Sequence, residues 1–358
     1  MSDNLQEART LLDQQKFSEA LELLHKVESV SPIVKVSLAR AMSGLGKWEP
    51  AHNLLCEALT EDPNNHEGYA SRGLLYFLSK NFQKAHADYQ KAIEGAPLNG
   101  RYHGLQGVLL AQIGDIPSAL NALESAYELG SHDPAYLLVR AQIYLATRDL
   151  DKAAEMLELA DKHEGDQASI AALEGAMNML AGKHDEALAS YRFAVEKEPS
   201  AIPNWMNMLS LTAKLDRSRL LEQSLSGLKI HPDSDEIIQV AVGAYLEQGK
   251  AKEALQLLAN ALQRRPKNPL LHFQMGMGLV TGEQFKEAIE HFSQALEAQA
   301  RFPRALDARG NCYERLGNKE KAQADFKESH KIRQEDAEKQ ALQKQMVPPS
   351  GNGSKHTV

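Results

Sequence analysis

The chain has few of the residues that build disulfide scaffolds, metal sites or membrane spans. Its only two cysteines, Cys56 and Cys312, lie far apart in the sequence, so neither a disulfide framework nor a CxxC zinc site is indicated. No stretch approaches about 18 uninterrupted apolar residues, and the polar, acidic N-terminus lacks the features of a secretory signal. We therefore expect a cytoplasmic protein with no direct membrane insertion.

Aromatic residues and clustered positive charge are also scarce. Aromatic residues make up 6% of the chain, and 48 acidic against 40 basic residues give a net charge of −8 without a basic block. This balance makes nucleic acid a poor candidate partner. The 43% apolar content is typical of helix pairs rich in alanine and leucine.

What the sequence does contain is one pattern repeated from end to end. In residues 282–295, Phe285, Ala288, Phe292 and Ala295 are spaced three or four apart and therefore share one helix face. The counterparts of Ala288 recur in steps of 31 to 34 residues, with Leu220 in the one gap. They are Ala20, Ala51, Ala85, Ala119, Ala153, Ala187, Ala254, Ala288 and Ala322. This period predicts tandem helix pairs that bury their apolar faces only by stacking on one another.

The third repeat shows the full residue pattern, which is Tyr69, Gly73, Tyr76, Phe82, Ala85, Tyr89, Ala92 and Pro97. With this pattern and this period, the sequence resembles the tetratricopeptide repeat (TPR) proteins, with about ten repeats over residues 1–335. The resemblance implies an all-α fold, a right-handed α-solenoid in which each repeat is a helix A followed by an antiparallel helix B.

The repeats also predict how the chain is divided. Residues 1–200 should hold repeats 1 to 6, and the first helix of repeat 2 should be short because that repeat has lost three residues. Residues 201–233 form a degenerate repeat 7, in which Leu220, Ser224 and Gly227 break the pattern, and we expect a soft joint there. Residues 234–346 should hold repeats 8 to 10 and a capping helix, followed by a disordered tail over 347–358.

No motif indicates catalysis, a cofactor or a metal. Gly276 and Gly278 fall inside a predicted helix rather than after a strand, so they are interpreted as packing positions and not as a nucleotide-binding loop. The run from His184 to Glu186 lies at a helix start, where acids favour the helix dipole, and metal ligation is the weaker interpretation. We predict no catalytic, cofactor or metal site, and a protein that is not an enzyme.

The resemblance also implies where a partner would bind, because the A helices of the family line the concave wall through the second, fifth, ninth and twelfth places of each repeat. The candidate groove residues are Leu74, Phe77, Val108, Leu138, Gln142, Met179, Trp205, Leu209, Phe273 and Met277. Each aliphatic residue among them could instead pack between adjacent helices. Trp205 is expected to face the groove as an anchor, because Asn204 takes the usual core-facing place.

The family's carboxylate clamp, which binds acidic chaperone C-termini, needs lysine, arginine and asparagine at set places of three consecutive repeats. Repeats 1 to 3 carry Leu5, Arg9, Ser37, Glu67 and Ser71 at those places. We therefore expect a non-enzymatic scaffold or adaptor that holds a protein or peptide segment in its concave groove. The alternative is a regulatory or substrate-targeting subunit of an enzyme complex.

Overall fold

The computed structural model describes residues 3–28 and 30–346, so the tail predicted over 347–358 lies outside the described residues. Within the described residues the chain forms twenty α-helices and one 3-10 turn, with no strand, which confirms the all-α fold of tandem helix pairs. No helix in this part of the chain is long and apolar enough to cross a bilayer. The helices divide into two compact units, Met1–Lys197 and Glu198–Val358.

The first unit contains the helix pairs of repeats 1 to 6. They are α1 (Asp3–Asp13), α2 (Phe17–Leu24), α3 (Pro32–Gly44), α4 (Trp48–Glu61), α5 (His66–Leu78), α6 (Phe82–Gly95), α7 (Gly100–Ile113), α8 (Ile116–Glu128), α9 (Pro134–Ala146), α10 (Leu150–Lys162), α11 (Gln167–Leu180) and α12 (His184–Lys197).

The second unit contains repeats 7 to 10 and an extended last helix. Its helices are α13 (Ile202–Leu215), α14 (Leu220–Ile230), α15 (Asp235–Glu247), α16 (Ala251–Arg264), α17 (Pro269–Thr281), α18 (Phe285–Ala298), α19 (Pro303–Arg315) and α20 (Lys319–Met346). A 3-10 turn, Arg217–Arg219, separates α13 from α14.

Small residues set how closely the two helices of a repeat approach. All nine recurring alanines are buried. In repeat 9, Gly276 lies in the middle of α17, and a Cβ atom added there would stand 2.5 Å from the ring of Phe292 on α18. The prediction that this glycine is a packing position is confirmed, since any larger residue would separate the two helices.

The corner between helices A and B is built the same way in most repeats. The residue that precedes the N-cap of helix B has a left-handed backbone conformation. Examples are Lys80, with φ of 60°, and Gly46, with φ of 73°. In repeat 3 the following residue, Asn81, caps α6 by accepting a hydrogen bond from the backbone N–H of Lys84. The reversal of chain direction is therefore set by two or three residues per repeat.

The prediction of a short first helix in repeat 2 is wrong. Helix α3 has 13 residues and begins at Pro32, whose fixed φ and missing N–H suit the first turn of a helix. The shortened element is α2, which has only 8 residues and ends at Leu24. The lost residues therefore come from the end of repeat 1.

Repeat 7 departs from its neighbours in the structure as it does in sequence. Its corner is the 3-10 turn instead of a left-handed residue, and α14 is reduced to 11 residues without a side-chain cap. Leu220, Ser224 and Gly227 are nevertheless all buried. The proposed softness of this repeat stays a prediction, which hydrogen exchange can test.

Candidate functional site

The groove residues predicted in the first unit lie on four successive A helices and differ in exposure. Leu74 and Phe77 on α5 are partly buried, as are the three further aliphatic or thioether side chains of this set, Val108, Leu138 and Met179. Gln142 on α9 is exposed. The Phe77 ring packs at 5.9 Å between centroids against Phe82 of the adjoining B helix, so part of its surface serves the repeat itself.

In the second unit, the structure corrects the expectation for Trp205. This side chain is 5% exposed, and its indole Nε1 donates a hydrogen bond to the carbonyl of Pro199 at 2.8 Å. Its ring lies against Gly227, where an added Cβ would be 3.1 Å from the indole Cε3. Leu209, one helical turn further on, is 1% exposed. Both residues therefore belong to the core of repeat 7 and not to an open wall.

The structure does bring Phe273 and Met277 together, in one cleft of the second unit. This cleft has a volume of about 910 Å³ and lies between helices α17 and α19 of repeats 9 and 10. Its apolar lining consists of Phe273, Met277, Val280, Phe285 and Ala308. Met277 is 42% exposed, so its flexible thioether is available to a partner.

Phe273 forms the floor of this cleft. Its ring packs against Phe302 at 5.0 Å and against Phe292 at 5.9 Å between centroids, which fixes it in place. The guanidinium of Arg304 lies 5.0 Å from the centroid of the same ring. This cation–π contact holds the arginine along the cleft, with its charge beside the apolar floor.

The rim of the cleft carries charges of both signs. They are Glu283, Arg304, Asp307, Glu314 and Arg315. Asp307 is paired with Arg333 of α20. Glu283, Glu314 and Arg315 make no ion pair with any residue that the structure describes. The rim can therefore pair with charged side chains that flank an inserted apolar residue.

The cleft contains one thiol among its lining residues. This residue, Cys312, is buried, and burial raises the pKa of its thiol, which disfavours the nucleophilic thiolate. Among residues 3–28 and 30–346, no three or more His, Cys, Asp or Glu side chains converge as a metal site would require.

The contribution of α19 was missed in the sequence, although a signal for it was present. Moving 34 residues along from Phe273, Met277 and Val280 gives the fifth, ninth and twelfth places of repeat 10. These places hold Asp307, Asn311 and Glu314, and all three line the cleft. Applying the same register to the last repeat would have found them.

Comparison with known proteins settles the family. Profiles described as tetratricopeptide repeat match residues 36–100, 109–177 and 273–337, which together make up more than half of the chain. The chain belongs to the tetratricopeptide repeat family. As a TPR protein it has the fold of a general protein-interaction scaffold.

A curated relative supports this assignment. Tetratricopeptide repeat protein 16 of Macaca fascicularis is 26% identical over 312 residues, which are 81% of this chain but 34% of that protein. The chain thus spans about a third of the length of this relative.

Solved TPR structures show the same fold at low identity. The structure of PilW, a widely conserved type IV pilus biogenesis factor, has a TM-score of 0.54 and 16% identity, covering 58% of this chain and 97% of PilW. The human IFIT1 dimer with PPP-AAAA has a TM-score of 0.51 and 16% identity, covering 91% of this chain and 81% of IFIT1. At these identities the likeness shows the fold alone.

Proposed function

We propose that this TPR protein is a non-enzymatic scaffold or adaptor that holds a segment of a partner protein on its A-helix face, with the cleft between α17 and α19 as a principal contact. The observation that carries the proposal is the pairing of an exposed thioether, Met277, with a fixed aromatic floor, Phe273, in a cleft of about 910 Å³. That volume can take a large apolar side chain together with its neighbours.

The composition of the cleft favours a segment that places an apolar side chain over Phe273 and Met277 and charged side chains on either side. Arg315 and Glu314, which have no partner in the described part of the chain, would pair with those flanking charges. Salt should therefore weaken the complex without abolishing it, because screening acts on the rim and not on the apolar floor.

The A helices of the first unit supply a second set of candidate contacts. Leu74, Phe77, Val108, Leu138, Gln142 and Met179 retain some exposure on α5, α7, α9 and α11. We propose that they bind a further stretch of a partner, which is how an adaptor with repeated helix pairs would engage an extended or helical segment.

A protein partner suits these surfaces better than a nucleic acid does. The chain has 48 acidic against 40 basic residues, and both signs occur on the rim of the cleft. A polyanion would meet repulsion from Glu283, Asp307 and Glu314 at the same place.

The proposal is tested by affinity capture from native cell extract with three immobilised proteins: the wild type, Met277→Glu and Ile230→Glu. Ile230 is the matched control, because it is an apolar residue of the same unit, 47% exposed, on a B helix outside the cleft. An anchor residue can contribute about 2 kcal/mol, roughly thirtyfold in affinity. We expect Met277→Glu to lose partners that the wild type and Ile230→Glu both retain.

Thermal midpoints of the two variants should stay close to that of the wild type, since surface changes shift stability by less than about 0.5 kcal/mol. Capture of the same partners by all three proteins would contradict the proposal. Assaying the captured partner for catalytic turnover then separates a scaffold from a targeting subunit of an enzyme.

A further inference from the structure

A hydrogen bond between two histidines joins the helices of repeat 9. Nδ1 of His272 on α17 lies 3.1 Å from Nδ1 of His291 on α18, and the ring centroids are 5.4 Å apart. His272 is 7% exposed, and His291 is partly buried. The residues that follow them, Phe273 and Phe292, form an aromatic contact between the same two helices. The histidine pair therefore adjoins the floor of the cleft between α17 and α19.

The surroundings of His272 determine which of its nitrogens carries a proton. Its Nε2 lies 2.9 Å from the carbonyl oxygen of Pro266, which can only accept a hydrogen bond, so Nε2 is protonated. Repeat 7 has the same arrangement, because the indole Nε1–H of Trp205 donates to the carbonyl of Pro199, also six residues earlier. Nδ1 of neutral His272 is therefore an acceptor, and Nδ1 of His291 donates the proton of the bond between the rings.

This bond can accommodate one added proton but not two. The first can enter at Nε2 of His291, which leaves the bond between the two Nδ1 atoms intact. A second would have to enter at Nδ1 of His272, because Nε2 of that ring already carries a proton. Two N–H groups would then face each other across 3.1 Å with no acceptor between them, and the rings would have to separate.

The charged groups around the pair do little to stabilise added protons. Neither histidine forms an ion pair with any residue that the structure describes. Burial and the neighbouring His272 lower the pKa of His291 below 6.5, against the opposing effect of Glu290 on the same helix. Glu287, one turn before His291, is exposed, and the guanidinium of Arg304 on α19 lies over the Phe273 ring.

Several charged side chains on the other helices packed against α17 and α18 have ion-pair partners of their own. They are Asp235 and Glu247 of α15, Arg264 of α16 and Arg265 directly after it, and Asp307 and Arg309 of α19. Those carboxylates are therefore engaged with arginines, and the arginines add no free positive charge beside the rings.

Acid should favour an arrangement in which the two rings have moved apart. An ordinary histidine gains a proton as the pH falls through 6.5, so two separated rings gain two protons, whereas the closed pair gains one at most. Each proton that the closed pair refuses raises the open-to-closed ratio by up to about tenfold for each pH unit below 6.5. The stabilisation from the pair is therefore complete above pH 6.5 and is lost as the pH falls through the lowered pKa of the folded state.

Separation of α17 from α18 would change the cleft, because Phe273 depends on both helices. Its ring packs against Phe292 of α18 at 5.9 Å between centroids. The helices are in close contact here, since a Cβ atom added to Gly276 would stand 2.5 Å from the Phe292 ring. A movement at this contact therefore displaces Phe273, and with it the aromatic floor beside Met277.

We propose that the pair of His272 and His291 is a pH switch for the cleft. At neutral pH the pair holds α17 against α18 and keeps Phe273 in place, and proton uptake in acid separates the helices and releases a bound partner segment. This regulation rests on the function proposed above for the segment that is released. The movement itself belongs to the unbound protein, so it can be measured without a partner.

The test is an NMR titration of the full chain without a partner, from pH 7.5 to pH 5.0. Nitrogen-15 signals of the imidazoles report the tautomers, and the carbon-13 methyl signal of Met277 reports the cleft. At pH 7.5 we expect His272 to be protonated at Nε2 and His291 at Nδ1. The Met277 signal should shift as the pH falls below 6.5 and return on neutralisation. A Met277 signal that does not change with pH, or the opposite tautomers, would overturn the proposal.

Two variants locate the effect. In His291→Asn the side-chain amide can donate the same bond to Nδ1 of His272 but does not titrate, so this variant should keep the Met277 signal of pH 7.5 and lose its acid-dependent shift. His330→Asn is the matched control, because His330 is an exposed histidine of α20 in the same unit, and it should keep the full shift. Equal shifts in the wild type and His291→Asn would contradict the assignment.

The wild-type tautomers and titration test the switch even where a variant does not fold. Because no partner is present, an unchanging Met277 signal would overturn the switch and leave the capture experiment unaffected. Capture of the same partners by the wild type, Met277→Glu and Ile230→Glu would overturn the proposed function and leave the titration unaffected. The two failures are therefore distinguishable.

Discussion

Replacing Trp205 by alanine should lower the free energy of unfolding of the second unit by about 3 to 5 kcal/mol, the usual cost of removing a large aromatic side chain from a core. The side chain is 5% exposed and packs against Gly227 of α14. Loss of its hydrogen bond adds little, because the Pro199 carbonyl also accepts from His231 Nε2 at 2.8 Å and keeps that partner.

Urea unfolding followed by circular dichroism measures this loss. Trp48→Ala is the matched control, because Trp48 is the only other tryptophan of the chain and is 47% exposed. The control should change stability by less than about 1 kcal/mol. A similarly small effect of Trp205→Ala, combined with loss of partner capture, would refute the core assignment and return Trp205 to the groove.

A second change checks the packing directly. Gly227→Ala should gain about 1 kcal/mol of helix propensity only where space exists for the methyl group. In the wild type an added Cβ would lie 3.1 Å from the Trp205 ring and 3.3 Å from Ile237, so the gain should be cancelled. In the Trp205→Ala background part of the gain should appear, because only the contact with Ile237 remains. Simple additivity of the two substitutions would show that the residues are not packed together.

Two further predictions concern the pH dependence of the free energy of unfolding and the local stability of repeat 7. In the first unit, burial works to raise the pKa of the Glu67 carboxyl, but its ion pairs with Arg101 at 2.9 Å and Arg40 at 3.3 Å outweigh burial and hold the pKa below the ordinary value of 4.5. The Glu67 carboxylate therefore contributes its full stabilisation above pH 4.5 and loses it as the pH falls through the lowered pKa of the folded state. Glu67→Gln should cost about 1 to 3 kcal/mol of unfolding free energy at pH 7 and progressively less in acid. A cost that does not change with pH would contradict this. Amide hydrogen exchange should be faster over residues 215–230 than in helix α10, because the repeat pattern is broken in repeat 7. Equal protection of the two segments would contradict the prediction that repeat 7 is a soft joint.

The repeat period allowed most of the fold to be predicted from sequence. Small residues spaced 34 apart mark where helices touch, and this contact is local to each repeat, so Ala85 and Ala288 could be placed in the core without any long-range information. The length of α3 was missed because the three residues lost from the period were assigned to the first helix of repeat 2, whereas the structure shows the shortening in α2, at the end of repeat 1.

The candidate site was predicted less well, because it depends on pairs of substitutions in different helices. Asn204 and Trp205 are both buried, since Gly227, 22 residues later, leaves room that an alanine fills in most other repeats. The sequence of α13 alone cannot show this compensation. Phe273 and Met277 line the same cleft, but the shape of that cleft depends on the side chains of the next A helix.

The central claim, that the cleft between α17 and α19 binds a partner segment, is tested most directly by photo-crosslinking. The crosslinking amino acid p-benzoylphenylalanine is placed at position 277 in one protein and at position 230 in another, and each is irradiated in native cell extract. Both side chains are similarly exposed in the same unit, but only Met277 lines the cleft. We predict a specific crosslinked protein at position 277 that Phe273→Ala diminishes and that is absent at position 230. Equal crosslinking at both positions, or none at position 277, would contradict the account.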